Sequence, residues 1–201
     1  MTKYKNQYRI ESTRAQNWDY GSPGSYFVTI CAQNHKCYFG EIVRQQKRGG
    51  ATNVGTQNFG TVVVETQNFA SLRATDIGII AQRYWAEIPD HFPFVTLDEF
   101  VVMPNHIHGV VTFDKPGYSG LSKNVFGPQS QNLASVVRGF KAAVKKYATM
   151  HTIDFAWQPR FYDQIITSQE SLTIIRKYII DNPEKWINEK VYKDTRMEVQ
   201  L

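Results

Sequence analysis

The sequence predicts an α+β fold in which one antiparallel β-sheet carries packed helices. Two strand-like segments, residues 94–103 and 107–113, are separated by only three residues, and so short a connection joins antiparallel neighbours. Other strand-like segments alternate with segments of helical periodicity, which gives the sheet helical partners. The 201 residues suffice for one domain and little more, so we predict a single domain over residues 1–201.

The composition sets limits on function. Hydrophobic residues make up 42% of the chain, enough for a sizeable core, and 23 Lys and Arg against 18 Asp and Glu give a net charge of +5. This charge permits a polyanionic partner without requiring one. The two cysteines, Cys31 and Cys37, allow neither a disulfide framework nor a cysteine-ligated structural zinc site. We see no signal peptide and no apolar stretch near the roughly 20 residues of a membrane span, and therefore expect a cytoplasmic protein without membrane contact.

The amino-terminal part of the chain predicts a polar arm followed by a hairpin. Residues 1–23 are mostly polar and lead into a turn. Residues 25–31 and 37–43 are rich in β-branched and aromatic side chains, and a short polar break separates them. We therefore expect these two segments to be strands that pair with each other.

Residues 44–72 interrupt the pattern of strands and helices. The tetrapeptide TQNF occurs at residues 56–59 and again at residues 66–69. Two copies are too few for a solenoid, which needs about three units to bury a core. We interpret this segment as a loop or small hairpin inserted into the domain.

The first helix is expected to begin after Thr75, a residue type that caps helix amino termini, and to end near Pro89. Apolar residues recur along it at helical spacing. This stripe consists of Ile77, Ile80, Ala81, Tyr84 and Ile88.

A second helix follows a loop at residues 114–130 that is rich in Gly, Pro and Ser. Its predicted buried stripe consists of Leu133, Val136, Val137, Phe140, Val144 and Tyr147. Arg138, Lys141 and Lys145 fall together on one flank of this stripe. These side chains could bind phosphates or form a solvated helix face, and the pattern leaves both interpretations open.

The last predicted elements are a strand at residues 160–166 and a third helix. Thr167 and Glu170 have the spacing of a capping box at the start of this helix. The helix is expected to run through Asp181 and to end at the Asn182-Pro183 pair.

The strongest candidate for chemistry is the His-Ile-His sequence at residues 106–108. Residues i and i+2 of a strand point to the same face, so His106 and His108 can converge on one ion while Ile107 faces the core. Imidazole suits Mn²⁺, Zn²⁺ or Fe²⁺, and also Mg²⁺ when phosphate oxygens complete the coordination. Two incidental histidines on a solvated strand face are the alternative.

Tyr178 is the candidate nucleophile by position. It lies inside the third amphipathic helix, and Asn182 follows one turn later on the same face. Leu172, Ile175 and Ile179 are expected to bury the adjacent face. A half-buried packing tyrosine is the alternative interpretation.

Taken together, three blocks resemble the REP-associated tyrosine transposases, relatives of the single-tyrosine transposases in the HUH endonuclease superfamily. The blocks are residues 98–108 (DEFVVMPNHIH), 157–163 (WQPRFYD) and 178–183 (YIIDNP), and they occur in the family's order. The resemblance implies a ferredoxin-like, HUH-type sandwich. It implies that His106, His108 and Asn182 hold a divalent ion, Mg²⁺ or Mn²⁺, and that Tyr178 is the nucleophile.

The resemblance also implies the reaction and the partner. It predicts an enzyme that cuts and rejoins single-stranded or hairpin DNA through a 5′-phosphotyrosine, acting as a monomer or a homodimer. Arg138, Lys141 and Lys145 would contact phosphates, and Trp157 with Arg160 could stack on splayed bases. The chain departs from the family at Gln164 and Thr167, where His and Arg are common, and the insert at residues 44–72 is not a feature of the family's core.

Two other classes of function remain open from the sequence. One is a domesticated protein that recognises structured DNA repeats and does not cut them. The other is a metal-dependent hydrolase that uses only the His-Ile-His pair, although the sequence shows no carboxylate ligands at telling spacings.

Overall fold

The computed structural model describes residues 18–44, 70–119 and 130–198, residue 15, and two dipeptide strands near the amino terminus; side chains are described between residues 15 and 189 of these ranges. The elements are, in chain order, β1 (Lys3–Tyr4), β2 (Gln7–Tyr8), β3 (Gly24–Cys31), β4 (Gly40–Arg44), β5 (Ala70–Ala74), α1 (Asp76–Ala86), α2 (Ile88–His91), β6 (Val95–Val102), β7 (His106–Phe113), α3 (Leu133–Met150), β8 (Tyr162–Ile166) and α4 (Gln169–Glu198). None of the helices in these ranges is long and apolar enough to cross a membrane.

Four strands form one antiparallel sheet in the order β6-β7-β3-β8. β3 is paired along its whole length with β7, so that Gly24 lies opposite Phe113 and Cys31 lies opposite His106. The expected hairpin of β6 and β7 is confirmed, with a bulge in β6 between Leu97 and Phe100. This register places the start of β7 beside the end of β3, and both histidines of β7 lie at this end of the strand pair.

Helices cover both faces of the sheet. Ile107 and Val111 of β7 belong to the larger core cluster, which α1 and α3 complete. Val110 of β7 lies on the other face, in a smaller cluster with Ile175 and Ile179 of α4. The predicted α+β class with helices on an antiparallel sheet is therefore confirmed, and α4 occupies the face opposite to α1 and α3.

The start of α1 is as predicted. The hydroxyl of Thr75 accepts a hydrogen bond from the amide of Gly78, 3.3 Å away. The predicted stripe is only partly right, because Ile80 and Tyr84 are half-buried, whereas Trp85 is fully buried against the sheet. Trp85 lies eight residues after Ile77 and four after Ala81, so helical spacing places it on the same face, and the predicted stripe omitted it.

The predicted hairpin of residues 25–31 with residues 37–43 is wrong. β4 pairs with β5, whereas β3 pairs with β7 and β8. Both edges of β3 are thus taken by strands that are distant in sequence. The chain leaves β3 through a 3₁₀ turn at Gln33–His35, whose last two residues have φ angles of 54° and 52°.

Most of the predicted insert, residues 45–69, lies outside the described residues, as do residues 120–129 of the predicted loop. The ends of the insert are described: Arg44 lies opposite Ala70 in the β4–β5 pair. The segment between residues 44 and 70, which we predict to be an insertion, therefore connects two paired strands. Within the predicted amino-terminal arm, β1 pairs with β2.

The predicted capping box at Thr167 and Glu170 is wrong. The hydroxyl of Ser168 accepts a hydrogen bond from the amide of Ser171 at 3.1 Å, which makes Ser168 the N-cap residue of α4. Two neighbouring hydroxyl residues could each serve as a cap, and the capping-box spacing favoured the wrong one.

The predicted end of this helix at Asp181 is also wrong, because α4 continues through Pro183. A proline inside a helix forfeits one backbone hydrogen bond. Here the turn after the proline is held from outside the helix: the guanidinium of Arg44 donates to Glu184 Oε1 at 3.0 Å and to Asn188 Oδ1 at 2.9 Å. Tertiary contacts thus sustain a helix that local rules would end.

Candidate active site

β7 brings its two histidines to the face of the sheet that α4 covers. The Nε2 atoms of His106 and His108 lie 2.9 Å apart, and the ring centroids are 4.4 Å apart. Ile107, between them, is fully buried on the opposite face. The strand thus holds two imidazoles with their Nε2 atoms aimed at one point, as the alternation of side chains predicts.

The surroundings keep both imidazoles neutral. Burial lowers the pKa of His106 to about 4, with the charge of His35 adding to the effect. Burial lowers the pKa of His108 to about 3, with the charge of His106 adding to it. At neutral pH each ring therefore keeps one nitrogen with a free lone pair, which is the form that binds metal ions.

The Nδ1 atom of each ring also has a hydrogen-bond partner. His106 Nδ1 lies 2.6 Å from Asn105 Oδ1, and His108 Nδ1 lies 2.9 Å from Thr29 Oγ1. The ring of Phe27 stacks on His108 with centroids 5.4 Å apart. Partners of this kind fix the orientation of metal-binding histidines in other proteins.

α4 places Tyr178 directly over this pair. The Tyr178 hydroxyl lies 3.3 Å from His108 Nε2, and the phenol ring contacts the rings of His108 and Phe27 at 5.2 and 6.0 Å between centroids. Ile175 and Ile179, buried on either side of it in sequence, hold this face of the helix against the sheet. Tyr178 itself stays 39% exposed, so the residue is partly open to solvent.

Asn182 follows Tyr178 by one turn and is buried. The described part of the chain contains no group of three or more His, Cys, Asp or Glu side chains placed to hold a metal ion. A metal site here would therefore complete its coordination with other donors beside the two imidazoles, and the sequence predicts the amide oxygen of Asn182 as one of them.

Two further side chains of α4 contact residues of the site. The ammonium group of Lys185 lies 5.2 Å from the centroid of the Tyr178 ring. The indole of Trp186 lies 6.0 Å from the His106 ring, between centroids. The site thus combines imidazoles, a phenol and a cation within one helix–strand contact.

An ion pair fastens α4 to the sheet just before Tyr178. Arg176 Nε donates to Asp98 Oδ1 at 2.8 Å, and a second guanidinium nitrogen donates to Asp98 Oδ2 at 2.5 Å. The hydrogen bond from Arg176 holds the pKa of the Asp98 carboxyl below its usual range. Two parallel bonds of this type restrict rotation as well as separation, so this pair limits where the tyrosine can lie.

The predicted phosphate-binding residues of α3 lie elsewhere. α3 packs on the other face of the sheet from the histidines, and Arg138 is exposed there. Lys141 Nζ donates to the carbonyl oxygens of Gln158 and Arg160, at 2.7 and 3.0 Å, and Lys145 Nζ donates to a carbonyl at residue 155, 2.6 Å away. Both ammonium groups thus tie α3 to the segment before β8, and phosphate contacts by these lysines stay a prediction.

Trp157 and Arg160, predicted to contact bases, belong to that tied segment. Trp157 Nε1 donates to the carbonyl of Lys141 at 3.0 Å, and its ring packs against Phe155 and Phe140 with centroids 4.8 and 5.8 Å apart. Arg160 is exposed and has a φ of 65°, a backbone conformation that costs energy in a residue other than glycine. Most of the indole surface is therefore occupied by packing, whereas Arg160 is accessible.

Sequence reasoning missed Thr29, Asn105 and Lys185. Thr29 lies opposite His108 only because β3 and β7 pair in this register. Asn105 precedes His106 directly, and its position beside the pair was the one available signal. Lys185 lies beyond Pro183, where the helix was expected to have ended.

Comparisons with known proteins show a relative in sequence and a solved structure with a similar fold. No family model matches the sequence. An uncharacterized protein of Haemophilus influenzae strain Rd is 32% identical over 203 residues, which cover 96% of this chain and 99% of that protein. A solved structure of a REP-associated tyrosine transposase bound to a REP hairpin has a TM-score of 0.50 and 16% identity, covering 87% of this chain and 74% of that chain.

The sheet order and the helices on both faces define an α+β sandwich, and the chain shares the fold of the REP-associated tyrosine transposase structure. This confirms the predicted resemblance at the level of the fold. By its identity over nearly the whole length, the chain belongs to the same family as the Haemophilus influenzae protein.

Proposed function

We propose that this protein is a metal-dependent transposase or endonuclease that cuts and rejoins single-stranded or hairpin DNA through Tyr178. One observation carries the proposal: the Tyr178 hydroxyl lies 3.3 Å from an imidazole whose Nε2 faces that of His106 at 2.9 Å. A nucleophile beside two neutral imidazoles that can hold a divalent ion suits phosphoryl transfer to a side chain. The fold shared with a REP-associated tyrosine transposase supports the same chemistry.

The residues support binding of a divalent ion, Mg²⁺ or Mn²⁺. The two Nε2 atoms approach each other at 2.9 Å although both rings are neutral, so their lone pairs would repel unless a proton or an ion lies between them. His106 and His108 would hold the ion, with the amide oxygen of Asn182 as the third protein ligand. Such an ion supplies Lewis-acid polarisation of the scissile phosphate and neutralises charge that develops on it.

The proposed reaction is a transesterification. The Tyr178 oxygen attacks phosphorus, a bond from tyrosine to phosphorus forms, and the bond from phosphorus to the 3′ oxygen breaks. The phenol loses one proton and the departing 3′ oxygen gains one, which leaves a 5′-phosphotyrosine and a free 3′-OH. Because the new ester keeps the energy of the phosphodiester, a second 3′-OH can reverse the step and join strands without ATP.

The exposure and the charge around Tyr178 favour single-stranded DNA as the substrate. Tyr178 is 39% exposed, and Lys185, also exposed, lies beside its ring and provides positive charge for an approaching phosphate. Tyr162 of β8, 51% exposed, lies at the end of the same face and contacts Phe27 with centroids 6.4 Å apart. An unpaired base next to the cleaved phosphate could stack on such a ring.

The experiment is a search for a covalent adduct. A pool of single-stranded hairpin oligonucleotides with randomised flanks, labelled on the 3′ side, is incubated with the protein and Mn²⁺, Mg²⁺ or EDTA. A labelled protein band on a denaturing gel is expected with either ion and not with EDTA. Peptide mapping should place the DNA on Tyr178.

Two matched variants make the test specific. Tyr178→Phe keeps the ring and removes the nucleophilic oxygen, so the adduct should vanish, whereas Tyr162→Phe should still form it. DNA attached to any other tyrosine would refute the assignment of Tyr178. Binding without cleavage in all conditions would instead favour a non-cleaving DNA-binding protein, and metal-dependent release without an adduct would favour a hydrolase.

A further inference from the structure

Asn105 is held in one orientation by a backbone carbonyl. Its side chain is buried in the turn between β6 and β7, and Nδ2 donates to the carbonyl oxygen of His35 at 3.1 Å. A carbonyl oxygen can only accept, so the amide nitrogen must face it. The amide oxygen is therefore the atom that lies 2.6 Å from His106 Nδ1.

This orientation decides which nitrogen of His106 carries the proton. The Asn105 oxygen only accepts, so His106 Nδ1 must bear the hydrogen. A neutral imidazole has a single N–H, and His106 Nε2 is then left with its lone pair. That lone pair points at His108, whose Nε2 lies 2.9 Å away.

His108 is held in a different way. Its Nδ1 lies 2.9 Å from Thr29 Oγ1, and a hydroxyl can both donate and accept. With the lone pair of His106 facing it, His108 must carry its proton on Nε2 in the metal-free protein, with Thr29 donating to Nδ1. If an ion takes both Nε2 atoms, the His108 proton has to lie on Nδ1, and the Thr29 hydroxyl can turn to accept it.

We propose that Asn105 is a positioning residue that presets His106 as a metal ligand, whereas Thr29 allows His108 to change tautomer when a metal ion binds. The assignment of tautomers stands on the hydrogen bonds alone. Its consequence for metal binding rests on the proposed function. The two histidines of the pair are therefore not equivalent, although they belong to one short motif.

The carbonyl that orients Asn105 is itself held by strained backbone. Asn34 and His35 have φ angles of 54° and 52°, in the left-handed region that residues other than glycine rarely adopt. The backbone oxygen of His35 makes the hydrogen bond of this relay, and its exposed imidazole acts on His106 through its charge alone. His35→Gly keeps the carbonyl and suits the positive φ, and loss of the imidazole charge should not weaken binding of a cation, so it serves as a control.

The direct test is long-range ¹H–¹⁵N NMR of the metal-free wild-type protein at neutral pH, which distinguishes protonated from unprotonated ring nitrogens. The expected result is a hydrogen on Nδ1 of His106 and on Nε2 of His108, with His108 changing to Nδ1 when Mg²⁺ or Zn²⁺ is added. A hydrogen on Nε2 of His106 would overturn the proposal without any variant being needed.

Variants test the consequence for metal affinity, measured by titration with Mn²⁺. Asn105→Leu removes the acceptor and should weaken Mn²⁺ binding by about 10- to 100-fold. Asn105→Asp keeps an acceptor for His106 Nδ1 and should retain the hydrogen on that nitrogen, although it loses the donor to the His35 carbonyl. His35→Gly should keep near wild-type affinity. Unchanged Mn²⁺ affinity in a folded Asn105→Leu protein would refute the positioning role.

The two proposals can fail separately. If the wild-type protein binds no divalent ion but His106 carries its hydrogen on Nδ1, the tautomer assignment stands and the metal-dependent function fails. If Mn²⁺ binds but His106 carries its hydrogen on Nε2, the function survives and the role of Asn105 is wrong.

Discussion

Replacing Gly109 with alanine should destabilise the fold strongly, because the site strand and α1 approach each other more closely there than a methyl group allows. Gly109 follows His108 on β7 and faces the opposite side of the sheet. A Cβ at this position would lie 2.3 Å from Trp85 Cζ2 and 3.1 Å from Phe100 Cβ. An ordinary carbon contact is about 3.5 Å, so the indole would have to move by about 1.2 Å.

Trp85 has little room for such a movement. It is fully buried, and its ring packs against Phe100 and Phe140 with centroids 6.0 and 5.3 Å apart. Overpacking a well-filled core costs about 1–3 kcal/mol, and the short contact in Gly109→Ala puts this variant at the upper end, at about 2–3 kcal/mol. Urea unfolding followed by fluorescence measures the change as a lower midpoint with an unchanged slope.

Two controls isolate the steric cause. Gly139→Ala, on the exposed side of α3, meets Phe92 at 3.2 Å and also gains helix propensity, so its stability should change by no more than about 1 kcal/mol. Trp85→Phe removes the atom that clashes, and also an indole N–H without a hydrogen-bond partner among the described residues. Gly109→Ala should therefore cost less in a Trp85→Phe background; wild-type stability of the single variant would refute the reasoning.

Three further predictions concern charge and the site. Arg176 lowers the pKa of the Asp98 carboxyl in the folded protein, so the ion pair stabilises the fold at pH values above the unfolded-state pKa, near 3.9. This stabilisation is lost as the pH falls through the lowered pKa of the folded state. The unfolding temperatures of the wild type and of Asp98→Asn should therefore differ most at pH 7 and converge toward pH 3. His106→Ala should abolish adduct formation but leave DNA affinity, measured by fluorescence anisotropy, nearly unchanged, since phosphate contacts elsewhere supply most of the binding energy; equal loss of both would contradict this. Arg138→Ala and Lys141→Ala should each lower the salt slope of DNA binding by about one unit, and Lys141→Ala should also lower the unfolding temperature, because it frees the segment before β8.

The elements themselves could be predicted from sequence because their signals are local. The strand-like segment at residues 107–113 agrees with β7 to within one residue, and the stripe of α3 is largely buried as expected. Strand pairing is not local. Residues 37–43 have a strand pattern, and nothing in that pattern distinguishes β3 from β5 as the partner, since the choice depends on which edges remain free in the assembled sheet.

The end of α4 shows the same limit. Asn182-Pro183 is a helix stop by local rules, because proline lacks the amide hydrogen that the ladder needs. The bonds of Arg44 to the turn beyond it come from a strand about 140 positions earlier in sequence, as the separation of Arg44 from Glu184 shows. No window of sequence around the proline contains that information.

For the site, the sequence by itself determined which residues carry reactive groups and which of them share a face. His106 and His108 follow from strand alternation, and Tyr178 with Asn182 from helical spacing. Only the tertiary structure decided that the Tyr178 hydroxyl lies 3.3 Å from His108, and that Thr29 and Asn105 hold the two rings by different groups. The physical reason is that spacing within one element constrains only directions along that element, whereas contacts between β3, β7 and α4 depend on sheet register and on core packing, which the whole chain sets together.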